Sequence, residues 1–242
     1  MSIAASAEAM RIVRTLQIHF PVGPQQTGSA FVIGGEGQLL TCAHVVINKT
    51  GQRANRILVT RPDGTRYDAT LRQVDEAYDL ARLESNDRQQ APSIDVVMPQ
   101  VGKQVIFAGL PQGLLRASVF PGMVSAVGDR LIDRPRCQMV QVAGMINNGN
   151  SGGPLLDATS NSVIGIITAK YVPLLREIDR LTEQLEAIPQ FPRDVSIGQI
   201  DFSAFVNVTI RSMWQIAVVL RLAQVGTGWA VPAQYFARIG VN

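Results

Sequence analysis

The sequence contains little cysteine and histidine, which excludes two common ways of stabilising a small protein. Its 242 residues include two cysteines, Cys42 and Cys137, and two histidines, His19 and His44. Secreted domains that rely on disulfides are rich in cysteine, and structural zinc sites need about four clustered cysteine or histidine ligands. We therefore expect both cysteines to be buried thiols, and we expect neither a metal site nor an organic cofactor.

Long apolar runs and runs of one charge are also missing. The net charge is +3 and the basic residues are scattered, without interleaved aromatic residues, so nucleic-acid binding has little support. No apolar run is long enough to cross a bilayer, and the N-terminal stretch lacks the apolar run and cleavage site of a secretory signal. We therefore expect a cytoplasmic chain without a membrane span. The apolar content of 46% is that of an ordinary globular enzyme.

What the sequence does contain is a serine surrounded by glycines, in the stretch INNGNSGGPL from Ile146 to Leu155. Glycines let the backbone turn tightly and approach a substrate closely. In such a turn the hydroxyl of Ser151 could attack a carbonyl carbon, while the backbone N–H groups of Gly149 and Ser151 stabilise the oxyanion that forms. A glycine-rich turn around a serine is more often a plain hairpin, so other residues must decide between the two interpretations.

Two motifs upstream supply the partners that a catalytic serine needs. His44 lies in TCAHVV and Asp79 lies in YDLARL, each at the end of an apolar, strand-like run. A serine hydroxyl needs an imidazole to take its proton, and the imidazole needs a carboxylate to fix its tautomer. His44 could instead be a core histidine, but His19 has no motif around it. Asp75 competes with Asp79, and we favour Asp79 because a strand would carry it inward.

In the order His44, Asp79, Ser151, these motifs resemble the chymotrypsin-like serine peptidases. The sequences of the motifs TCAHVV, DLARL and GNSGGPL are most similar to those of the bacterial HtrA/Deg branch of trypsin-like peptidases. The resemblance covers residues 12–171 and 226–241. It implies a serine endopeptidase that acts on a protein or peptide substrate. In such an enzyme the histidine is the general base and acid, the aspartate is the carboxylate that orients the histidine, and the serine is the nucleophile.

The resemblance also implies an all-β fold of two six-stranded antiparallel β-barrels. Apolar residues alternate from Met10 to Phe20, which predicts the first strand, and the Asp-Gly pair in PDGT predicts a hairpin. We expect further strands over residues 29–33, 38–43, 56–61, 66–74, 80–84, 104–109, 116–126, 138–143 and 162–169 and in the closing GTGWAVP stretch.

The polar stretch Ser85–Pro92 is the expected linker between the two barrels. Residues 1–90 would then form the N-terminal barrel, which carries the histidine and aspartate motifs. Residues 91–242 would form the C-terminal barrel, which carries the serine motif and a helical insertion over residues 172–224.

This insertion departs from the family pattern, in which a short loop is usual. Apolar residues recur every three or four positions over residues 174–188, which is typical of an amphipathic helix, and a second helix is expected over residues 203–224. We expect a helical hairpin. It either packs on a barrel or serves as a docking element for a protein partner or for self-association.

By the same resemblance, Thr168, Ala169 and Lys170 lie on the strand edge along which a substrate backbone pairs. The Thr168 hydroxyl would support the carboxylate of Asp79, although a threonine that only packs in the core is an equal alternative.

The position that holds an acid in trypsin is Met145 in this sequence, so a pocket for basic side chains is not expected. Met145, Ile146 and Thr168 would form a pocket for small or medium apolar side chains. Lys170 at its rim would also attract an acidic group.

The residue before the nucleophile is Asn150, where trypsin-type zymogens have an aspartate, and the sequence has no IVGG start. We therefore expect control by loop ordering or by a partner rather than by N-terminal cleavage. We also expect the chain to act without the PDZ domain of the Deg branch. Two alternatives remain open: a catalytically silent binding scaffold, and a proteolytic module within a larger signalling or defence complex.

Overall fold

The computed structural model describes residues 2–34, 37–111, 116–129, 137–170, 184, 196–197, 200–222 and 226–241. The chain divides into two compact units, one formed by Met1–Tyr171 with Val225–Asn242 and the other by Val172–Gln224. The first unit contains two closed antiparallel β-barrels of six strands each. The expected all-β fold of two six-stranded barrels is therefore confirmed.

The first barrel consists of β1 (Val13–His19), β2 (Gln26–Val32), β3 (Gln38–Thr41), β4 (Arg56–Thr60), β5 (Arg66–Asp75) and β6 (Leu80–Ser85). Around the barrel the strands follow the order β1-β2-β3-β6-β5-β4. Gly64 has a φ of +90° in the turn that joins β4 to β5, a conformation that favours glycine. Buried side chains such as Leu16, Phe31 and Leu83 fill the interior, so the barrel is a packed core and not a channel.

The second barrel consists of β7 (Gln104–Gly109), β8 (Ser118–Asp129), β9 (Gln138–Gly144), β10 (Pro154–Asp157), β11 (Val163–Lys170) and β14 (Thr227–Pro232). Its strands follow the order β10-β11-β14-β9-β8-β7. The rings of Phe107 and Phe120 stack at a centroid distance of 5.4 Å at one side of its core. The sequence did not indicate β10, because its four residues are too few to show an alternation.

The prediction that the first strand begins at Met10 was wrong. Residues Ile3–Ile12 form a helix, α1, and β1 begins at Val13. The Ser2 hydroxyl accepts a hydrogen bond from the Ala5 N–H at 3.3 Å and so caps the helix. Ala5, Ala9 and Ile12 are buried at helical spacing, and α1 packs against β7, β8 and β10. The helix therefore connects the second barrel to the first strand of the first barrel.

The linker between the barrels is held to the first barrel by a buried ion pair. Arg14 on β1 donates a hydrogen bond from Nε to Asp87 at 2.6 Å, and both side chains are buried. Arg61 and the Tyr67 hydroxyl also donate to this carboxylate. Burial alone would raise the pKa of Asp87, but these hydrogen bonds outweigh it and hold the pKa well below its usual range. Burial and the bond to Asp87 raise the pKa of Tyr67 to about 12.

The second unit contains the helix α3 (Phe202–Leu222) and a small hairpin of β12 (Ser196–Ile197) and β13 (Ile200–Asp201). The helix expected over residues 203–224 is thus confirmed. Of the helix expected over residues 174–188, the described part of the chain includes only Gln184, so that prediction lies outside the described residues apart from this position. Val208, Met213 and Ile216 on α3 are exposed. Of the helices that the structure describes, none has the length and apolarity needed to cross a membrane.

Candidate active site

His44 lies just after β3, in the single helical turn α2 (Ala43–Val46). Its ring Nδ1 is 2.8 Å from Oδ2 of Asp79, and its backbone N–H donates to Oδ1 of the same carboxylate at 3.0 Å. The side chain of His44 is 41% exposed, whereas that of Asp79 is 2% exposed. Since an ionised carboxylate can only accept hydrogen bonds, this contact places the proton on Nδ1 and leaves Nε2 as the basic nitrogen.

Asp79 lies in the tight turn between β5 and β6, with a φ of +59° that only a few residue types tolerate. Its carbonyl oxygen accepts a hydrogen bond from the Ala43 N–H at 3.2 Å, which fixes the turn beside His44. The hydroxyl of Thr168 donates to Oδ2 of Asp79, the oxygen that also contacts the imidazole. The carboxylate is therefore held by donors from both barrels.

The competing carboxylate, Asp75, points elsewhere. It accepts a hydrogen bond from the Tyr78 N–H at 3.1 Å and forms an ion pair with Arg238 at 2.6 Å. Arg238 belongs to the 3-10 helix Ala233–Ile239, and its guanidinium lies 4.2 Å from the ring centroid of Tyr78. The Tyr235 ring also packs on Tyr78, at 4.6 Å. Asp75 thus helps to hold the turn that presents Asp79 and does not contact His44.

Ser151 lies in the glycine-rich turn that precedes β10. Gly149 and Gly152 have φ values of +93° and +88°, which favour glycine. A Cβ at Gly152 would lie 1.9 Å from the carbonyl oxygen of Ser29, so the turn passes too close to the first barrel for any other residue. The Ser151 hydroxyl donates to the carbonyl oxygen of Thr168 at 2.9 Å. The hydroxyl proton must therefore leave this carbonyl oxygen before it can be passed to His44.

The backbone N–H groups of Gly149 and Ser151 were expected to form the oxyanion hole. Within the described part of the chain, neither N–H donates a hydrogen bond to a protein group. Both residues are partly exposed, so the two N–H groups are open to a ligand and are suited to binding an anion.

The predicted substrate edge lies on β11. On one side β11 pairs with β14 as far as Lys170 opposite Gly228, whereas on the other side its pairing with β10 reaches only Ile166. On the β10 side, Ile167 exchanges hydrogen bonds with the serine turn, and beyond Ile167 no strand among the described residues pairs with the backbone from Thr168 to Lys170 on that side. The side chains of Ala169 and Lys170 lie outside the described part of the structure.

Met145 and Ile146 were both expected to line a pocket, and the structure separates them. Met145 is 54% exposed, so its side chain is available to a ligand. Ile146 is 1% exposed and packs in the core of the second barrel, so its side chain does not line an open pocket.

Cys42 and Cys137 are buried thiols. The ligand atoms of Cys42, His44 and Asp79 lie within 4.8 Å of one another, and they are the one group of possible metal ligands among the described residues. The hydrogen bond between His44 and Asp79 would have to break before a metal could bind there. The group is better suited to proton transfer than to metal binding.

Sequence reasoning missed Ser29, a buried residue on β2. Its N–H donates to the carbonyl oxygen of Ser151 at 2.9 Å, and its hydroxyl donates to the carbonyl oxygen of Gly149 at 2.7 Å. A serine within a strand carries no signal of such a role, because these contacts depend on how the two barrels come together.

The sequence of the chain is similar to those of known peptidases. The sequence model of the trypsin-like peptidase domain matches residues 28–166. The chain is 37% identical to the putative serine protease HhoA of Synechocystis sp. over an alignment 163 residues long, which covers 62% of this chain and 40% of that protein. It is 33% identical to serine protease HTRA1 of Xenopus tropicalis over an alignment 175 residues long, which covers 69% of this chain and 36% of that protein. The chain therefore spans well under half the length of these relatives.

A third relative, the probable periplasmic serine endoprotease DegP-like of Rhizobium meliloti, is 35% identical over 153 residues, which are 62% of this chain and 29% of that protein. Among solved structures, the HtrA-type protease AlgW with a tripeptide covers 98% of this chain with a TM-score of 0.71 and 24% identity, and 62% of that chain is matched. At this identity the structural match supports the fold alone.

Proposed function

The chain belongs to the trypsin-like peptidase family, and from this premise we propose that it is a serine endopeptidase that hydrolyses peptide bonds through an acyl-enzyme on Ser151. The observation that carries the proposal is the double contact of His44 with Asp79. The backbone and the ring of the histidine bind the two oxygens of one buried carboxylate. This contact fixes the orientation and the tautomer that a general base needs.

In the proposed reaction the hydroxyl oxygen of Ser151 attacks the scissile carbonyl carbon and gives its proton to Nε2 of His44. Asp79 stabilises the imidazolium, and the N–H groups of Gly149 and Ser151 bind the oxyanion. The tetrahedral intermediate then loses its amine, which takes the proton from His44, and leaves an ester on Ser151. Water repeats the same steps and regenerates the hydroxyl.

The contact between Ser151 and Thr168 is consistent with an enzyme whose serine hydroxyl is not yet directed at His44 and becomes so when a substrate binds. A substrate that added a strand along β11 would bring its own N–H groups to the free edge at Thr168. There they would compete with the Ser151 hydroxyl for the carbonyl oxygen of Thr168. Displacement from that oxygen would leave the hydroxyl able to turn towards His44.

We further propose that loop ordering or a partner controls the enzyme, rather than N-terminal cleavage. Asn150 is fully buried beside the nucleophile. A neutral amide at this position needs no cation, whereas a buried aspartate would require one.

For specificity, we propose small or medium apolar side chains at the cleavage site. The exposed side chain of Met145 supports an apolar contact there, and no acidic residue stands in its place to bind a basic side chain. Lys170, at the proposed rim, would add some preference for acidic groups nearby.

The helical unit is proposed as a docking element for a partner or for a second copy of the chain. Exposed apolar residues on α3, including Val208, Met213 and Ile216, support this role. Gel filtration with and without residues 172–224 tests self-association, and an unchanged monomer would argue against it. We propose the cytoplasm as the compartment, which the two buried thiols support, and cell fractionation tests it.

Incubation with an unfolded protein, reduced casein, tests the proposed endopeptidase. We expect the wild-type chain to produce internal fragments and Ser151→Ala to produce none. Mass spectrometry of the fragments then gives the residue before each cleaved bond. Equal fragmentation by both chains would show a contaminating protease, and no fragmentation by either would favour the silent scaffold.

A further inference from the structure

Ser29 connects the first barrel to the nucleophile turn of the second through both its backbone and its side chain. Ser29 is 0% exposed. Its N–H donates to the carbonyl oxygen of Ser151 at 2.9 Å, and its hydroxyl donates to the carbonyl oxygen of Gly149 at 2.7 Å. The two acceptors are the carbonyls of the same residues whose N–H groups form the proposed oxyanion hole.

The direction of the Ser29 hydroxyl is fixed by a third contact. The N–H of Leu110, which follows β7, donates to Oγ of Ser29 at 2.9 Å. A hydroxyl has a single proton, and its oxygen already accepts a hydrogen bond from Leu110. The proton must therefore point elsewhere, and the carbonyl oxygen of Gly149 is its acceptor.

These contacts hold the two peptide groups that flank the Ser151 N–H. In the first group, the Gly149 carbonyl accepts from Ser29 and the Asn150 N–H donates to Asn147 at 3.1 Å. In the second group, the Ser151 carbonyl accepts from Ser29 and the next N–H, of Gly152, donates to the Ile167 carbonyl at 2.8 Å. Because peptide groups are planar, each is held at both ends.

The peptide group between these two carries the Ser151 N–H, and its carbonyl oxygen accepts from the Gly153 N–H at 2.9 Å. Its own hydrogen bond and the two held peptide groups on either side therefore fix its orientation. The orientation of the Gly149 N–H depends more on Ser29, because a glycine with a φ of +93° can rotate to other conformations at little cost. Without the Ser29 hydroxyl, the Gly149 carbonyl loses the donor that holds it in this conformation.

We propose that Ser29 is a positioning residue, whose hydroxyl holds the Gly149 carbonyl and thereby aims the Gly149 N–H at the oxyanion of the reaction. The inference rests on the proposed function of Ser151. Ser29 does not touch the reacting atoms, and it acts from the opposite barrel through the turn that it holds.

The test compares Ser29→Ala with Ser85→Ala, a matched control at the end of β6. The Ser85 hydroxyl also donates to a glycine carbonyl, that of Gly37 at 2.9 Å, and its oxygen also accepts from a backbone N–H, that of Asp87 at 3.2 Å. Both substitutions remove one such hydroxyl. Only Ser29→Ala removes the donor to Gly149.

The measurement is the rate at which a fluorophosphonate modifies Ser151, as a function of probe concentration and of pH. The phosphoryl oxygen of the probe occupies the oxyanion hole as the new bond forms, so the rate reports its geometry. We expect Ser29→Ala to lower the limiting rate about tenfold to a hundredfold. The half-saturating probe concentration and the pH midpoint should stay at their wild-type values, and Ser85→Ala should react like wild type.

Equal limiting rates for Ser29→Ala and wild type would overturn this inference but not the proposed function, as would an equal loss in Ser85→Ala. A shifted pH midpoint with an unchanged limiting rate would also overturn it, because the effect would then act through His44. A folded wild type that does not react would overturn the proposed function and this inference with it. If Ser29→Ala does not fold, Ser29→Cys takes its place, with an intermediate rate expected and a wild-type rate overturning the inference.

Discussion

The hydroxyl of Ser151 donates its hydrogen bond to the carbonyl oxygen of Thr168, at 2.9 Å. The side chain of the same threonine donates to Asp79, so Thr168 contacts both ends of the proposed triad through two different groups. Thr168 is also the first residue of the β11 edge that has no strand beside it in the described part of the chain. One residue thus connects the nucleophile, the orienting carboxylate and the proposed substrate edge.

Replacement of Asp79 by asparagine should nearly abolish activity. An amide cannot hold the Nδ1 proton of His44 in the required tautomer, and in the related triad template such a change costs about 10⁴-fold. The measurement is the rate of fluorophosphonate modification of Ser151. Asp75→Asn is the matched control, since its amide oxygen can still accept from the Tyr78 N–H that holds the turn and this side chain does not contact His44. Its rate should stay near the wild-type value. Equal losses for the two variants would contradict the assignment of Asp79.

Replacement of Thr168 by valine should lower the modification rate by about tenfold, because a hydrogen bond to a charged group contributes roughly 1.5–3 kcal/mol. The substitution removes the hydroxyl that donates to Asp79 and keeps the backbone carbonyl that accepts from Ser151. Rates are compared at a temperature at which circular dichroism shows both chains folded. A wild-type rate would mean that the hydroxyl only fills space in the core.

Two glycines with nearly equal backbone angles should respond differently to alanine. Gly152 and Gly64 have φ values of +88° and +90°, so both variants carry a similar conformational strain of about 1 kcal/mol. A Cβ at Gly152 would meet the Ser29 carbonyl oxygen at 1.9 Å, whereas nothing lies within 4 Å at Gly64. We expect Gly152→Ala to lose at least about a hundredfold in modification rate, from displacement of the nucleophile.

Gly64→Ala should keep the wild-type rate and lose a little stability in thermal unfolding. Equal rates for the two alanine variants would contradict the close approach of the nucleophile turn to the first barrel.

The buried carboxylate of Asp87 should stabilise the fold in a pH-dependent way. Its pKa is lower in the folded chain than in the unfolded chain, so the unfolded chain binds more protons as the pH falls. The contribution to the free energy of unfolding is complete above the unfolded pKa of about 4 and is lost as the pH falls through the folded pKa. We expect Asp87→Asn to cost about 3 kcal/mol at pH 7, because Arg14 stays buried without its partner.

The difference between Asp87→Asn and wild type should shrink below about pH 4 in denaturant unfolding. Asp68→Asn is the control, because its ion pair with Arg56 is exposed and contributes at most about 1 kcal/mol. A constant difference from pH 7 to pH 3 would show that the cost comes from packing and not from charge.

Local patterns predicted most of the strands, and the resemblance carried by the three motifs predicted the two barrels and the residues of the proposed site. Alternating strands separated by turns are local patterns, and each motif joins a chemically distinctive residue to such a strand. Ser29 and Asp87 could not be found in this way. Ser29 contacts Gly149, 120 residues away, and Asp87 pairs with Arg14, 73 residues away. Nothing near either residue in the sequence indicates these partners.

The helix α1 was missed for a different reason. The apolar alternation of β1 was extended upstream to Met10, across the end of a helix whose buried face consists of Ala5, Ala9 and, at its last residue, Ile12. Alanine has a high helix propensity but gives a weak hydrophobic period. The burial of Ile146 could not be predicted from the sequence either, since an apolar residue beside a nucleophile turn can face either a ligand or the core.

The measurement that most directly tests the central claim is mass-spectrometric mapping of the fluorophosphonate adduct on the wild-type chain beside Ser151→Ala. If His44, Asp79 and the two backbone N–H groups activate Ser151, the wild type should carry one adduct, on Ser151, and the variant none. A folded wild type that stays unmodified, or that carries its adduct on another residue, would contradict the account.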